Sequence, residues 1–139
     1  MDHTLDQKRA MHSLERVKEI EKKHKNQGNG QFADDYAGYV VRLPADILSN
    51  GLGQALAQLL AAAKDKKEDP HRLVYQDLQS WLCRDDEKAP YPGAADLLEA
   101  IVSNDRRRYQ WALAEALAWL EWHKKLSVAY LKKSEGESQ

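Results

Sequence analysis

Alanine and leucine together supply 36 of the 139 residues, whereas valine, isoleucine and threonine together supply only 10. That imbalance limits what the chain can fold into more than any other feature. Strands draw on β-branched residues and helices on alanine and leucine. Seven glycines and four prolines also leave too few turns for a sandwich or a barrel. The expectation is an all-α protein, a compact bundle of about six to seven helices with a long C-terminal helix. One domain is expected over 1–139, with its core at about 5–132 and a frayed tail at 134–139.

Composition removes further classes. At 42% apolar and 31% charged, the chain is an ordinary globular mixture rather than a disordered one. No run approaches the ~18 apolar residues of a membrane span. The opening MDHTLDQKRA lacks the apolar stretch of a secretory signal. Cys83 stands alone, so neither an internal disulfide nor a multi-cysteine metal cage can form, which fits a reducing compartment. A cytoplasmic protein without membrane contact is expected. The net charge of −1 argues against a free-standing, non-specific nucleic-acid binder. Yet residues 84–105 carry six acids against two bases, and residues 106–133 carry seven bases against two acids.

Periodicity and capping signals divide the chain. A first helix is predicted from about Leu5 to His24, with Ala10, Leu14, Val17 and Ile20 facing inward. KHKNQGNG ends it, because Asn and Gly accept left-handed backbone angles. A second helix starts near Gln31 with Phe32, Tyr36, Tyr39, Val40 and Leu43 in one stripe. Pro44 is expected to interrupt it and open a short helix over 44–50, closed by Asn50-Gly51. The Leu/Ala-rich stretch 52–64 follows and reads as the central helix. Asp69-Pro70 caps the next, which places Leu73, Val74, Leu78, Trp81 and Leu82 inside. An acidic, proline-bearing loop covers 84–93, and a short helix then buries Leu97, Leu98, Ile101 and Val102. Ser103, Asn104 and Asp105 can each cap the last helix, which runs to about Leu131. It is apolar on two sides, one with Tyr109, Ala112, Leu113, Ala116, Leu117 and Leu120, the other with Trp111, Trp119, Trp122 and Leu126. Such a helix has neighbours on both sides or keeps one side for a partner.

No convergent set of reactive groups emerges, so no catalytic residue, metal ligand or cofactor is assigned. Glu21-x-x-His24 has the spacing of a di-iron half-site, but that site needs two such pairs and two further glutamates. Cys83 and His71 fall at opposite ends of one predicted helix, roughly 18 Å apart. Gly51-Leu52-Gly53 opens a helix without the strand or Lys-Ser/Thr of a phosphate loop. Asp85-Asp86-Glu87 lacks the spacing of a calcium loop.

The bases carry more information. Lys22, Lys23 and Lys25, like Lys64, Lys66 and Lys67, lie at helix C-termini, where the dipole alone accounts for cations. Arg106, Arg107 and Arg108 lie in the first turn of a helix, where the dipole disfavours them. They serve either the acids of 84–99 or an external anion such as a phosphate backbone. Lys124, Lys125, Lys132 and Lys133 extend the positive face, with Trp122 and Tyr130 beside them. Aromatics among bases can stack nucleobases and neutralise phosphates; core aromatics beside dipole-compensating lysines would look the same.

The ordered series of short motifs is more specific than any of them singly. Arg9-Ala10 is followed by an aromatic helix running into Leu-Pro-x-x-Ile-x-x-Asn-Gly-Leu at 43–52. Then come a Leu/Ala helix ending in Lys64, Tyr75-x-x-Leu78-x-x-Trp81-Leu82 and Asp105-x-x-x-Tyr109. A final Glu115-Ala116-Leu117-x-x-Leu120-x-Trp122-x-Lys124 completes the series. From about residue 8 to 131 the chain resembles the small helical subunit of the Cmr complex, the type III-B CRISPR RNA-targeting effector. The resemblance implies a compact all-helical protein without catalysis of its own. It also implies copies that stack beside the guide-carrying backbone subunits and touch the groove where target RNA pairs with guide RNA. The implied partners are the large and backbone subunits, further copies of the chain, guide RNA and target RNA.

A scaffold along such a duplex needs shape and charge rather than sequence readout. Candidate RNA-binding residues, chosen by charge clustering, are Arg106, Arg107, Arg108, Lys124, Lys125, Lys132, Lys133, Lys22 and Lys23. Stacking needs heterologous contacts, for which Trp111, Trp119 and Trp122, with Pro44 and Ile47 of the short helix, are the candidates. The alternative is a helical protein–protein interaction module whose basic ends serve only helix dipoles.

Overall fold

A computed structural model describes residues 2–133, and the tail expected to fray lies outside them. Six α-helices and one 3-10 turn make up the described chain: α1 (Leu5–Lys23), the turn Lys25–Gln27, α2 (Gly30–Asn50), α3 (Leu52–Ala63), α4 (Pro70–Leu82), α5 (Leu97–Ser103) and α6 (Arg106–Leu131). Most boundaries follow the local chemistry. Thr4 and Gln7 form a reciprocal capping box on α1. Asp69 accepts from the His71 N–H with Pro70 at the first helical position, and Asp105 accepts from the Arg108 N–H. Gly28 ends the 3-10 turn at φ 84°.

Helix α6 is the axis of the bundle. Helix α2 lies antiparallel to it, with Gln31 at Lys133, Tyr36 at His123 and Gly51 against Tyr109. Helix α1 runs in the same sense as α6, its Arg9 at Glu115 and the Lys25 that follows it at Tyr130. Helix α4 closes the core from the other side through Val74, Tyr75, Leu78, Trp81 and Leu82.

Four expectations require correction. Helix α2 does not break at Pro44 but continues for 21 residues, so no separate 44–50 helix exists. A proline in a helix interior costs about 3 kcal/mol. Val40, Leu43 and Ile47 around it are each at most 2% exposed, and a buried side chain of this kind contributes roughly 1.5–3 kcal/mol. The buried stripe outweighs the lost bond. Helix α3 is peripheral rather than central: it packs on α2, α4 and α5, with Ala57, Gln58, Ala61 and Ala62 facing outward. Leu14 of α1 is 37% exposed, and Val102 of α5 is 76% exposed.

The α2–α3 corner is where a glycine is required. Gly51 sits at φ 91°, and a Cβ there would meet the Tyr109 hydroxyl at 3.3 Å. That hydroxyl accepts from the Leu52 N–H at 3.0 Å, which fixes the corner to the start of α6.

Candidate nucleic-acid interface

A buried polar core underlies the surface. Ser13, Tyr36, Asp77 and His123 come from α1, α2, α4 and α6, and none is more than 4% exposed. Asp77 pairs with Arg16 at 2.9 Å and accepts on its other oxygen from the Tyr36 hydroxyl. With its proton committed to Asp77, the Tyr36 oxygen accepts from His123 Nε2 at 2.7 Å. His123 Nδ1 is then the acceptor for the Ser13 hydroxyl at 2.8 Å. Burial pushes the His123 imidazole down to about 3, the charges of His12 and Arg16 adding to it, so it is neutral as this arrangement requires. Burial raises the Asp77 carboxyl, and Tyr36 and Arg16 offset part of that.

A second group adjoins the first. His12 Nδ1 accepts from the Trp119 indole at 3.0 Å, so its Nε2 donates to Ser80 at 2.9 Å. Burial, helped by Arg16 and Arg84, pushes His12 down to about 4. Glu115 takes both Arg9 bonds, at 2.6 and 2.9 Å, and the Trp81 indole at 2.9 Å. Burial pushes the Glu115 carboxyl up, but Arg9 and Trp81 outweigh it and hold it below the usual range. Ser13, Asp77, Glu115 and His123 thus have their polar atoms engaged inside the bundle, whereas Ser80 is exposed.

The sites rejected on sequence grounds have structural occupations. Glu21 faces Lys18 at 3.6 Å, and His24 stacks on Phe32 at 3.8 Å between centroids. Cys83 is the buried C-cap of α4, its thiol pushed up to about 11 by burial.

The basic residues fall into two groups at the ends of α6, with Lys124 and Lys125 between them. Arg106 and Arg107 are exposed, whereas Arg108 turns inward and donates to the Pro90 carbonyl at 2.7 Å. Lys124 pairs with Glu121 at 2.9 Å, and Lys125 is exposed. At the far end Lys132 lies 3.5 Å from Asp34, and Lys133 reaches Gln31 at 2.6 Å. Lys22 and Lys23 are exposed at that same end, Lys23 being 3.0 Å from Glu19. The fold adds two bases that charge clustering had not placed at Tyr130. Lys18 lies 4.1 Å above its ring, and Lys25 donates to its carbonyl at 2.7 Å.

Around α6 the exposed bases are in line. At 100° per residue, Arg107, Lys125 and Lys132 fall within about 20° of one another and span about 37 Å. All three are exposed, and the buried row of Ala112, Ala116, Trp119, His123 and Ser127 lies opposite. The expected protein contacts are only partly available. Trp119 is 0% exposed, stacked on His123 at 4.1 Å, and Ile47 is 2% exposed, so both belong to the core. Pro44 is half-buried within α2, and the exposed side chain beside it is Leu48, at 74%. Trp111 and Trp122 retain 38% and 36% exposure.

Bundle, axial helix and cationic line together define the class: a small all-α protein with one charged ridge and a closed polar core. The family model for the CRISPR-associated protein Cas_Cmr5 matches residues 5–130. The fold is similar to the crystal structure of a CRISPR-associated Cmr5 family protein from Thermus thermophilus. The TM-score is 0.69 and the identity 26%, over 94% of this chain and 100% of that one. The chain belongs to the Cmr5 family, and is thus a subunit of the type III-B CRISPR Cmr complex.

Proposed function

We propose that the chain is a non-catalytic cytoplasmic scaffold subunit that lies along the guide RNA–target RNA duplex and stacks with copies of itself beside the backbone and large subunits. The observation that carries this reading is the outward line of Arg107 and Lys125 on α6 and Lys132 at its C-cap, with Arg106 beside it. A polyanion following that line needs charge and shape but no base readout. Each copy contributes weakly because the body is nearly neutral, and repetition supplies avidity. Lys22 and Lys23 extend the surface at the Lys132 end. The absence of catalysis is supported by the burial of Ser13, Tyr36, Asp77 and His123, whose polar atoms already engage one another. For stacking, exposed Leu48 and Val102 near the start of α6 replace Ile47 and Trp119 as candidate contacts.

The test is charge reversal in the assembled complex. A variant carrying Arg106→Glu, Arg107→Glu and Lys125→Glu is expected to bind target RNA more weakly while melting at the wild-type temperature. The slope of log affinity against log salt is expected to fall by about 0.7–0.9 for each phosphate contact removed. Unchanged affinity and slope would overturn the reading in favour of a protein-interaction module.

A further inference from the structure

Three indoles of this chain donate to side-chain acceptors: Trp81 to Glu115, Trp119 to His12 and Trp122 to Asp6. The first two are 3% and 0% exposed; Trp122 alone of the three stands at the surface, at 36%. Its N–H meets Asp6 Oδ1 at 3.1 Å, and the same oxygen accepts from Arg9 at 3.2 Å. Arg9 is in turn held by its two bonds to Glu115. The edge of the ring is therefore fixed by a chain of charge-assisted bonds that runs from exposed Asp6 through Arg9 to Glu115.

The rest of the ring borders open space. Trp122 lines two open clefts, which also share Asp6. One, of about 340 Å³, is bounded by Ala118, Glu121 and Lys125 of α6. The other, of about 300 Å³, is bounded by Thr4, Ala10 and Met11 on the α1 side. A ring held at its N–H and bordering open clefts costs little ordering entropy on binding, which is what a planar ligand exploits. Lys125 lies less than a turn further along α6, on the cationic line.

We propose that Trp122 is a stacking platform for an unpaired nucleobase of single-stranded RNA, with Lys125 meeting the adjoining phosphate. The proposal rests on the reading that the outward face of α6 meets RNA. A paired base presents its edges and hides its faces within the duplex, so the platform acts only on bases outside the guide–target pairing. Stacking on one aromatic contributes about 5- to 150-fold in affinity for each base engaged, irrespective of base identity.

The experiment compares a fluorescein-labelled oligouridine with a blunt RNA duplex of equal length. Both are titrated against the full chain and against the assembled Cmr complex. Trp122→Ala is expected to weaken oligouridine binding at least about fivefold, to leave duplex binding unchanged, and to melt close to wild type. Trp122→Phe is expected to restore most of the loss, whereas an indole needed only for its N–H to Asp6 would not be replaced by phenylalanine. Equal losses for both RNAs, or no loss for either, overturn the platform. If Arg107→Glu with Lys125→Glu weakens both RNAs while Trp122→Ala weakens neither, the RNA-facing reading stands and the platform falls. Loss of the Trp122→Ala chain from the complex at unchanged RNA affinity assigns the indole to a protein partner instead. Failure of the wild-type protein to bind either RNA in either setting overturns both readings.

Discussion

The two buried imidazoles make stability depend on pH in a defined direction. His123 and His12 titrate at about 3 and about 4 in the fold, against about 6.5 in an unfolded chain. Above about pH 6.5 both states leave them neutral and stability is complete. Below it the unfolded chain binds protons that the folded chain refuses, so stability falls until the folded-state values are approached. Each histidine contributes a slope of up to about 1.4 kcal/mol per pH unit in that window. Urea unfolding is expected to show a loss of about 2.5 kcal/mol between pH 7 and 5.5, and His12→Gln is expected to reduce the slope by about half whatever it does to absolute stability. A pH-independent midpoint would show that the histidines are solvated. Tyr36→Phe isolates the hydrogen bonds: it deprives Asp77 and His123 of a partner at once. A loss of about 1–3 kcal/mol is expected in the same assay, since buried polar atoms left alone bear their desolvation cost.

Helix α2 shows where local rules yield to packing. Pro44→Ala returns one backbone donor and removes the ring, with little change in the buried stripe of Val40, Leu43 and Ile47. Thermal melting is expected to show stabilisation of at least about 1 kcal/mol. Lys64 ends α3 at φ 56°, a left-handed angle that favours glycine, and Lys64→Gly is expected to gain roughly 1 kcal/mol by the same measure. Helix ends were largely legible beforehand, because Asp69-Pro70, Asp105 and Asn50-Gly51 act within a few residues of themselves. The inward face of α1 was legible only in part: Val17 and Ile20 are buried as expected, but Leu14 is not. Apolar periodicity turns Leu14 inward, but the fold turns Arg9, Ser13 and Arg16 toward Glu115, His123 and Asp77 instead. No single helix identifies a partner for any of those six residues, and only the tertiary meeting of the helices supplies it. The clue was on α6, where Glu115, His123 and Ser127 fall on the same row as Ala112, Ala116 and Trp119.

At the scale of the whole molecule, the cationic line on α6 divides the legible from the hidden. Clustering along the chain found its members, but not that Arg108 turns inward to Pro90 or that Arg107 and Lys132 share one side across about 37 Å. That alignment depends on which side of α6 the bundle covers. Replacing only Lys132 and Lys22 at one pole is expected to lower RNA affinity of the complex less than the Arg106, Arg107 and Lys125 reversal, because Asp34 already lies 3.5 Å from Lys132. Equal losses in a filter-binding titration would show that Asp34 neutralises nothing. The polar seam of α1 has a further consequence for how the chain reaches this shape. Only Val17 and Ile20 of α1 are buried hydrocarbon, so grease does little to hold it, and its three cross-links to Glu115, His123 and Asp77 are met together in one register alone. A slide of one turn, about 5.4 Å, would strand all three beneath the surface. The first helix thus behaves as a key with a single cut: it seats fully or stays out, and half-inserted forms are left no foothold.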